Sequence, residues 1–105
     1  MNLLKETIEI IISNGKSVKN VVWVGNRKRK IAWEKFSAIA DIEYDEGFGG
    51  SEIAADLIIA GEDWWLERGE YDGSEWWEFK TMPIEPTGED NLYITEREKD
   101  EHRTN

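Results

Sequence analysis

Two runs of alternating side chains flank an Asp-Gly pair and predict a β-hairpin. The runs are residues 64–71 and 74–81, and together they hold four of the six tryptophans of the chain. Asp72-Gly73 between them can supply the two positive-φ residues of a type I′ turn, whose twist suits a tight hairpin. The sequence therefore predicts that two aromatic-rich antiparallel strands form the centre of the fold.

The register of this hairpin assigns its side chains to two faces, because successive side chains of a strand point to opposite sides of the sheet. The face that pairs Leu66 with Phe79 is the predicted core face, and it carries Trp64, Leu66, Arg68, Trp77 and Phe79. The second face carries Trp65, Glu67, Tyr71, Trp76, Glu78 and Lys80. We expect Trp76 to cover the bare backbone of Gly69. A three-residue loop would change these faces.

An amphipathic helix is predicted over residues 3–13, with Asn2 as its N-cap and Gly15 just beyond its end. The apolar positions at helical spacing are Leu4, Ile8, Ile11 and Ile12. We expect this stripe to face the core.

The next segment predicts a strand, a basic turn and a second helix. Residues 21–25 are apolar and indicate a buried strand, and residues 27–30 are four consecutive cations. Residues 31–40 predict a short helix with Trp33, Phe36 and Ala40 on one face. Residues 30–32 could instead complete a short strand paired with the preceding one.

Further short apolar runs complete a sheet. Residues 57–60 predict a buried strand that continues into the hairpin as an antiparallel meander, residues 42–44 alternate like a strand, and residues 92–94 could add an edge strand. The prediction is one α+β domain over residues 1–86, with an N-terminal helix, a second short helix and a mainly antiparallel sheet, followed by a charged C-terminal tail over residues 87–105.

The net charge of the chain limits the kinds of partner that it can bind. The formal net charge is −10, with eight Lys/Arg against three Asp/Glu in residues 1–40 and five against twenty in residues 41–105. A body this acidic repels nucleic acid and membranes and attracts basic protein surfaces. Acidity that only keeps the protein soluble is the alternative.

Several kinds of chemistry lack the residues they need. The chain has no cysteine, and His102 is its only histidine, so zinc sites and His-based nucleophilic triads are not expected. We expect no cofactor and no bound metal. The sequence has no long apolar run and its start lacks a secretory pattern, so we expect a cytoplasmic protein.

An acidic and aromatic surface is the leading candidate for a site. Its hypothesised partner contacts are Phe48, Trp65, Glu67, Tyr71, Trp76 and Glu78. Phe48 lies in a glycine-rich loop that matches no phosphate-binding motif. Exposed aromatic side chains beside acids are typical of interaction hot spots. Because six tryptophans are many for a small surface, we expect Trp65, Tyr71 and Trp76 to be buried under a helix, with exposure as the alternative.

One enzymatic pattern is a weaker alternative. Asp63, followed by Glu78-Phe79-Lys80 on the neighbouring strand, resembles the metal-binding core of the PD-(D/E)xK nucleases, in which two carboxylates hold Mg²⁺ and the lysine orients water. Glu62 stands where that family has its proline, and Lys80 would lie opposite Trp65. A chain so rich in charge matches this pattern easily by chance.

The block from Gly47 to Pro83 also resembles small acidic proteins of phages and mobile elements of Gram-positive bacteria. The segments that carry the resemblance are Gly-Phe-Gly-Gly, Asp-Leu-Ile-Ile-Ala-Gly, Asp-Trp-Trp-Leu-Glu-Arg and Tyr-Asp-Gly-Ser-Glu-Trp-Trp-Glu-Phe-Lys. Small acidic phage proteins are often inhibitors of host defence, including anti-CRISPR proteins, some of them DNA mimics.

The resemblance implies a phage or mobile-element setting and no particular chemistry. By analogy with that class of proteins, we expect an anti-CRISPR-like inhibitor in the host cytoplasm that binds a basic surface of a defence protein such as a CRISPR nuclease, without contacting nucleic acid directly. A phage accessory protein that self-associates through its edge strands is a further alternative.

Overall fold

The computed structural model describes residues 1–45, 50–89 and 91–102, and these form an α+β protein with a five-stranded antiparallel sheet. The helices are α1 (Leu3–Ser13), α2 (Trp33–Ile39) and α3 (Glu96–Glu101), and the strands are β1 (Trp23–Gly25), β2 (Lys30–Ile31), β3 (Ile58–Ala60), β4 (Trp64–Tyr71) and β5 (Ser74–Thr81). The strand order is β2-β1-β3-β4-β5, and every neighbouring pair is antiparallel. The predicted fold class is confirmed.

The predicted hairpin is the longest pairing in the sheet. β4 and β5 pair along their full length, from Tyr71 opposite Ser74 to Trp64 opposite Thr81. Asp72 and Gly73 have φ angles of 50° and 86°, so both turn residues adopt the left-handed conformation that a type I′ turn requires. The predicted register is confirmed, and with it the division of side chains between the two faces.

Helix α1 has the predicted bounds, but it turns a different side to the core. The Asn2 side chain accepts a hydrogen bond from the Lys5 backbone N–H at 2.9 Å and so caps the helix. The buried positions are Leu3, Thr7 and Ile11, whereas Ile12 of the predicted stripe is 61% exposed. The Thr7 hydroxyl oxygen accepts a hydrogen bond from Trp77 Nε1 at 2.8 Å, which brings Thr7 rather than a larger apolar residue onto the sheet.

The segment after β1 contains both of the elements predicted as alternatives. Residues Lys30–Ile31 pair with β1, and α2 then buries Phe36 and the following Ala40 against the core. The Asn26 side chain accepts hydrogen bonds from the backbone N–H groups of Lys28 and Arg29, which fixes the basic turn as an exposed tip.

Three predictions about apolar segments are wrong. The strand predicted over residues 21–25 forms as Trp23–Gly25, but its predicted burial is wrong, because only Val24 is fully buried and Val22 is 63% exposed. Residues 42–44 form one isolated bridge with α1's N-cap residue instead of a strand. Residues 92–94 form no strand: Leu92 and Ile94 are 82% and 80% exposed, and the segment pairs with none of the described strands.

A buried polar cluster joins the hairpin to α1 and to the segments around residues 44 and 52. Its centre is Arg68 on the core face, whose side chain is 3% exposed and lies 3.0 Å from Oε1 of the equally buried Glu75. Glu6 of α1 lies 3.7 Å from the same guanidinium. The guanidinium also lies over the rings of Trp77 and Tyr44, at 4.7 and 5.6 Å from their centroids. These rings give Arg68 Nε and Nη1 an attractive surface where no hydrogen-bond partner is present among the described residues.

The environment of this cluster shifts two pKa values in opposite directions. Burial alone would raise the pKa of Glu75, but hydrogen bonds from the backbone N–H groups of Glu52 and Ile53, together with Arg68, outweigh it and lower that pKa. Burial, and then donation of its hydroxyl proton to the Glu6 carboxylate at 2.5 Å, raise the pKa of Tyr44 to about 12. The cluster therefore favours an ionised Glu75 and a neutral Tyr44.

We expect Glu75→Ala to destabilise the fold by about 3–5 kcal/mol, because it leaves the guanidinium of Arg68 buried without its carboxylate partner. Urea unfolding followed by tryptophan fluorescence measures this change. The matched control is Glu78→Ala on the exposed side of the same strand, which we expect to cost less than about 1 kcal/mol. Equal effects of the two variants would contradict a central role for the buried pair.

We expect the stability that the Tyr44 hydroxyl confers to decline as the pH rises from 10 to about 12. The folded-state pKa is raised, so the contribution is complete below the unfolded-state value and is lost as the pH passes through the folded-state value. Urea unfolding of the wild type and of Tyr44→Phe at a series of alkaline pH values measures the difference between them. A difference that stays constant across this range would refute the assignment.

Candidate functional site

The two faces of the sheet have very different surroundings. Val24, Ile59 and Leu66 lie in one cross-strand row and are completely buried on the core face, in the same cluster as residues of α1 and α2. The third helix, α3, has no buried residue. In the described part of the chain, no helix therefore covers the opposite side of the sheet.

We call this opposite side the open face. Its side chains follow from the strand register, and they are Trp23, Lys30, Ile58, Ala60, Trp65, Glu67, Tyr71, Ser74, Trp76, Glu78 and Lys80. Tyr71 is 77% exposed and Trp76 is 37% exposed, and Trp23 and Trp65 are half-buried. The expectation that a helix buries the aromatic residues of this face is wrong, because α1 and α2 are both used to cover the core face.

The exposed indoles are held by contacts within the sheet. A Cβ atom at Gly69 would lie 2.7 Å from Trp76 Nε1, so the Trp76 ring rests on the Gly69 backbone as predicted. Trp65 Nε1 donates a hydrogen bond to the Glu67 carboxylate at 3.2 Å. These two rings are consequently positioned before any partner arrives, which lowers the entropy lost on binding.

Acidic side chains lie between the aromatic ones. Glu67 and Glu78 are directly opposite each other on β4 and β5, which places like charges side by side. Lys80 Nζ lies 3.8 Å from Glu67 and 3.2 Å from Glu78, and it offsets part of their repulsion. All three side chains remain between 37% and 45% exposed, so this group keeps a net negative charge that water and a partner can reach.

The structure brings together five of the six hypothesised contact residues. The register places the odd-numbered residues of β4 opposite the even-numbered residues of β5, and the side chains of both sets point to the open face. The five residues are Trp65, Glu67, Tyr71, Trp76 and Glu78. Phe48 lies outside the described residues. Sequence reasoning missed Trp23, which enters this face through the pairing of β1 with β3. The run around it is apolar throughout, so no local pattern separated Trp23 from the buried Val24.

The residues of the nuclease-like pattern are not brought together. Lys80 lies opposite Trp65, as predicted, and Glu78 lies opposite Glu67. Asp63 precedes Glu67 by four positions, or about 13 Å along an extended chain. Ligands of one Mg²⁺ lie about 2 Å from the ion, so Asp63 and Glu78 cannot share it in this arrangement. No group of three or more potential ligands suited to a metal is present among residues 1–45, 50–89 and 91–102.

The structure defines an α+β protein with one helix-covered and one open sheet face. Comparisons with protein-family models, with curated proteins and with solved structures found no match for the chain. None of the helices in the described ranges is long and apolar enough to cross a bilayer. The open face is therefore the feature from which a function has to be argued.

Proposed function

We propose that this protein is a binding protein that attaches its open face to a basic protein surface. The observation that carries this proposal is an uncovered sheet face that exposes Tyr71 and Trp76 within a strongly acidic body. Sheet faces with several aromatic side chains are normally covered in a protein of this size, and exposed apolar patches of this kind mark interaction sites.

The charge of the protein supports a cationic partner. The formal net charge of −10 steers basic surfaces toward the molecule and repels the phosphates of nucleic acid. Glu67 and Glu78 are side by side on neighbouring strands, and half of each side chain or less is exposed. Their carboxylates could occupy positions that phosphates take in the groove of a nucleic-acid-binding protein.

The aromatic residues would supply most of the affinity. Tryptophan and tyrosine are enriched at the few interface positions whose truncation costs more than about 2 kcal/mol. Trp76 and Trp65 are positioned by Gly69 and Glu67, so little conformational freedom remains to be lost. We therefore propose that the acidic side chains speed association and select a basic partner. The indoles slow dissociation of the complex.

The particular form of this proposal is an inhibitor of a host defence complex that handles nucleic acid. A guide-loaded CRISPR nuclease holds its nucleic acid in a positively charged channel, which is the kind of surface that the open face would complement. Self-association through the edge strand β5 is the second candidate, although Glu75 and Trp77 of that strand are almost completely buried and leave little free edge.

We expect Trp76→Ala and Tyr71→Ala each to weaken binding to a guide-loaded CRISPR nuclease at least tenfold, which corresponds to a loss of about 1.4 kcal/mol. Biolayer interferometry measures the affinity, and cleavage of a target DNA measures inhibition. The matched control is Tyr93→Ala, an exposed tyrosine outside the sheet. Binding of the wild type should also weaken as salt increases from 0.05 to about 0.5 M.

Two results would remove this proposal. One is retention of full affinity by both open-face variants while their thermal unfolding is unchanged. The other is a wild type that neither binds nor inhibits a panel of guide-loaded nucleases from Gram-positive bacteria. Light scattering at two protein concentrations tests the second candidate, self-association. If the protein self-associates, its apparent mass rises at the higher concentration.

A further inference from the structure

The open face contains a cleft between two indole side chains. Trp23 lies opposite Ala60, and Ala60 lies opposite Trp65, so one cross-strand row places a small residue between two large ones. The cleft has a volume of about 340 Å³ and continues over Ile58 and Met82. We call it the indole cleft.

The width of the indole cleft suits one flat group. The two tryptophans stand on strands that are two spacings apart, or about 9.6 Å at the backbone. A group stacked between two rings needs about 7 Å between the ring planes, twice the carbon–carbon contact distance of about 3.5 Å. Ala60 is the small residue between them, and it is only 7% exposed, so the floor of the cleft is narrow. The row thus favours a planar guest over a bulky branched one.

The rim of the indole cleft is acidic at the turn between β3 and β4, whereas Trp23 also lines a separate hollow with the basic residues 27–30. Glu62 and Asp63 line the cleft at this turn, and both are exposed. Within the described ranges neither carboxylate forms an ion pair. Lys16 and Lys19 line the neighbouring hollow on the other side of the turn, without reaching ion-pair distance of either acid. Two carboxylates are therefore available at the mouth of the cleft.

The geometry points to the side chain of an arginine from a partner protein as the occupant of the indole cleft. A guanidinium is planar, stacks on aromatic faces and donates two parallel hydrogen bonds to a carboxylate. Stacking between Trp23 and Trp65 would leave the donor edge directed toward Glu62 and Asp63. A nucleobase is also flat, but its phosphate would approach these acids and a body of net charge −10.

This inference deepens the proposed function, because it names the side chain with which a basic partner would anchor itself. The anchor lies beside the contacts proposed above: Trp65 belongs to both, whereas Trp23, Glu62 and Asp63 do not belong to the earlier set. Binding at the indole cleft can thus be tested with small probes, independently of any nuclease.

The test is a titration of the ¹⁵N-labelled protein with a blocked Gly-Ser-Arg-Ser-Gly peptide, followed through the indole N–H signals of the six tryptophans. We expect the signals of Trp23 and Trp65 to shift, with dissociation constants of the order of 1 mM. The matched ligand carries citrulline in place of arginine, which keeps the planar shape but removes the charge. We expect it to bind about tenfold more weakly, since the cation–π and ionic attractions are lost.

Variants locate the site. Trp23→Ala should weaken binding of the arginine peptide about tenfold by removing one wall. Glu62→Gln combined with Asp63→Asn should weaken it about fivefold while leaving the fold unchanged, since both residues are exposed. Glu85→Gln combined with Glu89→Gln removes the same charge from exposed positions elsewhere and should have no effect beyond twofold.

Three outcomes would overturn the inference. They are equal binding of the arginine and citrulline peptides, shifts of other indole signals but not of Trp23 and Trp65, and stronger binding of uridine monophosphate than of the arginine peptide. If the arginine peptide fails while Trp76→Ala still impairs nuclease binding, the indole cleft is refuted and the proposed function stands. If the peptide binds as expected and no nuclease binds, the indole cleft stands and the proposed inhibition of a nuclease is refuted.

Discussion

The buried contact between Arg68 and Glu75 is the constraint on which the rest of the structure depends. Strand alternation places both residues on the core face, where an unpaired charge would be costly. The cost is offset because the chain brings further partners to them: the backbone N–H groups of Glu52 and Ile53, and Tyr44 with its hydrogen bond to Glu6. Segments from three parts of the sequence are therefore fixed at one point of the hairpin.

This constraint decides which face of the sheet the helices cover. Helix α1 supplies Glu6 to the ionic cluster and Thr7 to Trp77, so it must lie on the core face. Helix α2 packs on the same side through Phe36. Since the described chain has no other helix with buried residues, the second face keeps its tryptophans at the surface. The exposure of the open face is thus a consequence of how the core satisfies its charges.

The parts of the fold that local pattern controls were predictable from sequence. Asp72-Gly73 set the turn, the turn set the register, and the register separated Leu66 from Trp65. The Asn2 cap and the helix that follows were equally local. Five of the hypothesised contact residues lie on one face for the same reason.

Features that depend on distant pairing were not predictable. A threonine in an apolar helix gives no sign that its hydroxyl will bind an indole 70 positions away, as Thr7 does with Trp77. Glu75 looks like a solvent-exposed strand residue until Arg68 and the backbone near residue 52 are in place. Trp23 joins the open face only through the pairing of β1 with β3, which no local signal specified.

The arrangement of the open face also reconciles two properties that oppose each other in an interface. Carboxylates that lose water on binding are costly, whereas indoles need to lose it to contribute. Here Glu67, Glu78 and Lys80 lie between the aromatic side chains, and each stays between 37% and 45% exposed, so a partner can be attracted by charges that are not yet desolvated. The rings of Trp65 and Trp76 are already held in place and can be covered at small entropic cost. A surface built in this way would associate quickly through its charge and dissociate slowly through its tryptophans, which is what an inhibitor competing with nucleic acid for a basic groove requires.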